Sequence, residues 1–139
     1  MGSINESIKN KHLTEPCLKA SDEGMQCEGL LNNKPLITVI TVVYNGEKEI
    51  ENTILSVINQ TYKNVEYIIV DGGSTDGTVD IIKRYDDKIS CWVSEPDSGI
   101  YDAMNKGVSL STGDWVNFMN SGDVFYSDDT IRDVTLVLK

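Results

Sequence analysis

The chain has 139 residues, 40% of them hydrophobic and 24% charged, with 22 acidic against 12 basic side chains and a formal net charge of −10. That length and composition fit one globular domain, and the acidic balance argues against nucleic-acid binding, which gains affinity by placing Lys and Arg on phosphates. Phosphorylated ligands stay open, because a divalent cation can stand between an acidic site and a diphosphate.

Residues 1–34 are polar, rich in Asn, Glu, Lys and Ser, and without a period. They read as a flexible leader; the alternative is an arm packed on the domain through Leu30 and Leu31. No stretch approaches the ~18 apolar residues of a membrane helix, and no h-region opens the chain. Cys17, Cys27 and Cys91 make no regular disulfide framework, and with His12 the single histidine a zinc site is not expected. The expected setting is the cytoplasm with reduced thiols, or the inner face of the cell membrane if a longer parent protein is peripherally attached there.

From Pro35 the pattern changes. Leu36–Val43 is β-branched and apolar on both faces, as a central parallel strand would be. Gly46–Gln60 places Ile50, Ile54, Val57 and Ile58 on one helical face. Val65–Val70 predicts a second buried strand ending at Asp71-Gly72-Gly73, Asp76–Tyr85 a helix, and Ile89–Val93 a third strand. Ile100–Leu110 predicts a helix, Trp115–Met119 a fourth buried strand, and Asp128–Leu138 a last helix. Four strand–helix alternations with short connections predict an α/β domain with a mainly parallel sheet flanked by helices.

In such sheets ligands collect beyond the carboxyl ends of the strands. The loops there carry Tyr44-Asn45, Asp71-Gly72-Gly73-Ser74, Glu95-Pro96-Asp97-Ser98 and Asn120-Ser121-Gly122-Asp123. Amides and carboxylates at all four strand ends suit hydroxyls, a base N–H or a metal ion. Neither a G-x-G-x-x-G nor a G-x-x-x-x-G-K-[ST] phosphate loop is present, and the Asp76-Gly77-Thr78 stretch lacks the strand-end spacing of a haloacid-type phosphatase.

The blocks together resemble a known family. Pro35–Asn45 is similar to the opening strand of family 2 glycosyltransferases, which have the Rossmann-like GT-A fold. Ser56–Tyr62 resembles their S-x-x-x-Q-T-Y segment, and Tyr67–Thr78 their second strand and its loop. Glu95–Gly107 resembles a subgroup carrying E-P-D-x-G-I-Y-D-A-M-N-K-G. The blocks fall in family order and spacing from about Pro35 to Asp128.

The resemblance implies hexosyl transfer from a nucleotide sugar, UDP being the commonest nucleotide with GDP and dTDP open, to a glycan or lipid-linked acceptor with inversion. Bacterial envelope polysaccharide synthesis is the setting it suggests, and a homodimer is among the assemblies. It places Thr41, Val43, Tyr44 and Asn45 against the nucleotide, although Thr41 and Val43 equally suit plain core. Asp71 matches the carboxylate that accepts from the base, beside Gly72; the structural alternative is closure of a turn. Asp76 reads as a helix-start residue. Asp97, Asp102 and Lys106 would flank the ribose or diphosphate, while Asp102 and Lys106, four apart, could form a surface pair.

Where the family carries D-x-D or D-D to bind Mn²⁺ or Mg²⁺, this chain has Asn120-Ser121-Gly122-Asp123. Asp123 matches the last Asp, the metal ligand, with Asn120 on the donor; the alternative is a solvated turn. The family's base is an Asp or Glu after this loop. Nothing from Val124 to Lys139 matches it, so the base is expected beyond Lys139, the domain reads as incomplete, and apolar surface on Val116, Phe118 or the last helix would be exposed. A non-catalytic nucleotide-sugar-binding module and a fragment completed by another chain are the competing readings.

Overall fold

The computed structural model describes residues 34–137. Strands β1 (Ile37–Val43), β2 (Val65–Asp71), β3 (Cys91–Ser94) and β4 (Trp115–Phe118) alternate with helices α1 (Ile50–Ile58), α2 (Thr78–Arg84), α3 (Ile100–Leu110) and α4 (Thr130–Thr135). A 3₁₀ turn at Asp86–Lys88 precedes β3. All strand pairings are parallel, in the order β3-β2-β1-β4. The chain moves outward from β1 to β3 and then returns to the other side of β1, so β1 and β4 flank the switch point.

The two faces of the central strands explain their sequences. Val39, Val43, Tyr67, Ile69 and Trp92 pack with Ile50, Ile54 and Val57 of α1 and Ile82 of α2. Ile40, Val42, Ile68, Val70, Cys91 and Val93 pack on the opposite face against Ala103 of α3. Strands covered on both sides need apolar residues at every position, which is why β1 and β2 show no alternation. Each fully buried Ile or Val contributes roughly 1.5–3 kcal/mol relative to exposure. Helix α3 approaches β1 closely at Gly107, where a Cβ would stand 2.5 Å from Ile40 Cγ2.

Element order and type match the sequence expectation, and boundaries shift. The first helix begins at Ile50 rather than Gly46, because Gly46 O accepts from Glu49 and Ile50 N–H in a turn that precedes it. The last helix is confined to Thr130–Thr135. Residues 1–33, including Leu30 and Leu31, lie outside the described residues.

β4 is an edge strand with Trp115 49%, Val116 39% and Phe118 40% exposed; this corrects the expectation of a buried strand there and agrees with the expected exposure of apolar surface on Val116 and Phe118. Among the described residues only β1 flanks it, and α3 packs over β1 and β2 instead. Among the described residues no helix is long and apolar enough to cross a membrane.

Candidate functional site

At the carboxyl end of the sheet a cavity of about 670 Å³ opens between the first three loops, lined by residues that include Val43, Tyr44, Gly72, Pro96, Asp97 and Ile100. Its size is that of a small-ligand site, and its walls are largely apolar with few polar groups. Tyr44 stands at 63% exposure on this surface, and among the described residues no basic side chain lines the cavity.

The loops are lashed to one another rather than to a ligand. Asn45, at φ 51°, accepts through Oδ1 from the backbone N–H of Thr75 (2.8 Å) and Asp76 (3.3 Å), and its own N–H donates to Ser74 Oγ. Glu47 Oε1 accepts from Gly77 N–H at 2.6 Å while Glu47 N–H donates to Asp76 Oδ2. Asp76 Oδ1 also accepts from the Thr78 hydroxyl and N–H. These bonds, the Thr78 hydroxyl foremost, hold the Asp76 carboxyl below its usual pKa, in keeping with a helix-start role. Gly46 fits where it does because a Cβ there would lie 2.8 Å from Ser121 Oγ.

Asp71 is fully buried. Its Oδ2 accepts from Gly73 N–H (3.1 Å), Ser74 N–H (2.9 Å) and Ser94 Oγ (2.7 Å), and its Oδ1 from Ser74 Oγ (2.5 Å). It thus closes the turn after β2 and joins it to β3. Thr41 is likewise buried, hydrogen-bonded to the Tyr67 hydroxyl at 2.8 Å. Lys106 Nζ lies 3.2 Å from Glu95 Oε2 and 3.9 Å from Asp102 Oδ2, and it donates to Pro96 O. Its charge is matched within the third loop, where Asp102 also accepts from Ser98 N–H.

Of the residues singled out in the sequence, Val43, Tyr44, Gly72 and Asp97 therefore meet at the cavity wall, whereas Thr41, Asn45, Asp71, Asp102 and Lys106 brace it. Asn120 and Asp123 sit on the fourth loop, which joins the cavity strand where Ser121 N–H donates to Val42 O. The sequence reading gave no role to Thr53, Ser56 and Gln60. Thr53 Oγ1 donates to Asp123 O and accepts from Gly122 N–H, and Ser56 Oγ accepts from Phe125 N–H. Gln60 bonds to Ser127 O and Ile131 N–H. Their signal was polar residues at positions i, i+3 and i+7, the first two on the face of α1 that also carries Ile50, Ile54 and Val57 and the third just past its end.

The sequence model of Glycosyl transferase family 2 matches residues 38–137. The chain belongs to this family. An uncharacterised glycosyltransferase of Mycobacterium tuberculosis (strain CDC 1551 / Oshkosh) is 36% identical over 102 residues, covering 73% of this chain and 39% of that protein. A PGL/p-HBAD biosynthesis glycosyltransferase of Mycobacterium bovis (strain BCG / Pasteur 1173P2) is 35% identical over 103 residues, covering 72% and 40%. This family 2 chain thus spans about two-fifths of the length of these curated relatives.

Among solved structures, the 1–349 segment of S. aureus TarS in complex with UDP-GlcNAc superposes with a TM-score of 0.67 at 27% identity, covering 72% of this chain and 30% of that one. The mannosyltransferase PcManGT of Pyrobaculum calidifontis, in complex with GDP-Man and Mn²⁺, gives a TM-score of 0.67 at 23% identity, covering 93% and 41%. The fold is that of GT-A glycosyltransferases.

The fourth loop of this family 2 chain fits a hard divalent cation. Asn120 Oδ1 is buried with no hydrogen-bond partner among the described residues, and the Asp123 side chain is exposed. An amide and a carboxylate oxygen are the donors such an ion takes. No group of three or more His, Cys, Asp or Glu assembles among the described residues.

Proposed function

We propose that this chain forms the donor-binding part of an inverting hexosyltransferase that takes a nucleotide sugar, a UDP-sugar foremost, and passes the sugar to a glycan or lipid-linked acceptor. The observation that carries this reading is the cavity of nucleotide size at the carboxyl end of a parallel sheet, with an oxygen-bearing fourth loop alongside. The likeness to TarS, solved with UDP-GlcNAc, supports a uridine nucleotide, and the Glu95–Gly107 run supports the subgroup. Acceptors of this kind would place the protein at the inner face of the cell membrane.

In this reading the exposed Tyr44 ring offers a face to the base, and Gly72 leaves room beside it for the Asp97 carboxylate. Asp123 and Asn120 would hold Mn²⁺ or Mg²⁺, which when bound supplies Lewis-acid stabilisation of the leaving diphosphate. Thr53 fixes the backbone of that loop from both sides. The Lys106–Glu95–Asp102 cluster keeps the third loop in place instead of meeting phosphate. The base that takes the acceptor's proton is assigned to a part of the protein after the fourth loop.

Calorimetric titration of the chain with UDP, with and without Mn²⁺, tests the reading. UDP binding is expected to strengthen about tenfold or more with Mn²⁺, equivalent to ~1.4 kcal/mol, and Asp123→Ala should remove that gain. Equal affinity with and without the ion would discard the metal assignment, and absence of binding would discard the donor site. Little or no transfer to any acceptor is expected from these 139 residues alone, to be checked by release of UDP from a UDP-sugar.

A further inference from the structure

We propose that Asp97, rather than Asp71, reads the base, and that it selects a nucleotide whose base presents a ring N–H beside a carbonyl, the imide of uracil or the lactam of guanine. This rests on the donor-site reading above.

A carboxylate offers about four acceptor positions. Asp71 is fully buried and accepts four hydrogen bonds from its own turn and from Ser94. A base could reach it only by dismantling the end of β2. The next residue is Gly72, and the space its side chain would fill is taken by Asp97: a Cβ on Gly72 would lie 3.0 Å from Asp97 Oδ2 and 3.3 Å from Oδ1. The third loop thus delivers a carboxylate to the end of β2, where the second loop has none to offer.

That carboxylate is already oriented. Asp97 Oδ1 accepts from Gly99 N–H at 3.0 Å, in a turn whose Gly99 stands at φ 125°, a backbone conformation that side-chain-bearing residues rarely adopt. Among the described residues no donor reaches Oδ2. Asp97 is half-buried on a cavity wall otherwise formed by residues such as Val43, Pro96 and Ile100. An oriented carboxylate oxygen with apolar neighbours attracts an N–H and repels a ring lone pair. At the corresponding ring nitrogen, uracil and guanine carry a proton, whereas cytosine and adenine carry a lone pair.

The test compares two nucleotide pairs, UDP against CDP and GDP against ADP, by calorimetry on the 139-residue chain in Mn²⁺. In the pair that binds, the member with the ring N–H should bind on the order of tenfold or more tightly. Asp97→Ala should bring the two members within about twofold, by weakening the member with the ring N–H. Asp97→Asn, which presents an amide donor, should also narrow the ratio by favouring the lone-pair member. Gly72→Ala, which pushes on the carboxylate without removing it, should narrow it too. Thermal melts confirm folding, and the half-buried Asp97 has only one hydrogen bond to lose. A preference unchanged in Asp97→Ala and Asp97→Asn overturns the assignment, as does a parent chain that binds both members equally. If neither pair binds the parent chain, the donor-site reading itself has failed.

Discussion

Asp76 shows how a carboxylate that resembles a ligand can belong to the scaffold. The Thr78 hydroxyl and the N–H groups of Thr78 and Glu47 stabilise its ionised form and hold its pKa below the ordinary value. A folded-state pKa lower than the unfolded one means that the unfolded chain binds the proton more readily. The contribution to stability is therefore complete above the ordinary aspartate range and is lost as pH falls through the depressed folded value. Melting temperature followed from neutral to acid pH should show a smaller acid-side loss in Asp76→Asn than in the parent chain, the variant starting lower at neutral pH. Parallel curves would show that other groups set the acid limb. The helix-start role was legible from Asp76-Gly77-Thr78 alone, because the partners are local. Turn closure by Asp71 was open to reading for the same reason, whereas its bond to Ser94 of β3 and the approach of Asp97 to Gly72 were not, because they join segments distant in the chain.

Helix α1 carries two sets of side chains with different tasks. Ile50, Ile54 and Val57 enter the core, while Thr53 and Ser56, with Gln60 just past the helix end, bind the backbone of residues 122–131. The apolar face was readable from helical spacing, and the polar residues were visible as part of a family-like segment. What they hold was hidden, since a spacing shows which residues share a face and not what that face meets. Gln60 is the strongest tie, buried and bonded at both ends of its amide. Gln60→Leu leaves Ser127 O and Ile131 N–H without their partner, and a loss of about 1–3 kcal/mol is expected. Urea unfolding measures it. If the helix also positions the fourth loop, the Mn²⁺-dependent gain in UDP affinity should shrink in the same variant.

Across the whole molecule the uneven cover of the sheet is the main feature. Helices α1 and α2 cover one face and α3 covers β1 and β2 on the other, leaving Val116 and Phe118 of the edge strand exposed. An apolar edge strand invites pairing with another chain, and lysines on such an edge oppose it. Concentration-dependent self-association of these 139 residues is expected in sedimentation velocity. Val116→Lys with Phe118→Lys should reduce it while shifting stability by only ~0.5 kcal/mol, the usual scale for exposed positions. Monomeric behaviour of the parent chain at all concentrations would contradict this.

The sequence by itself determined the order and type of the elements and the parallel α/β class. Apolar period and turn residues are local properties, and right-handed crossovers leave few ways to assemble them. It also determined which loops gather at the ligand end, because strand direction follows from that topology. Only the tertiary structure decided that β4 lies at an edge, that Lys106 is matched by Glu95, that Asp71 is tied to Ser94 of β3 and that Asp97 stands over Gly72 on the cavity wall. These outcomes come from competition for hydrogen-bond partners and cover between segments distant in the chain. That competition is settled by distances in space, and no local pattern of residues encodes it.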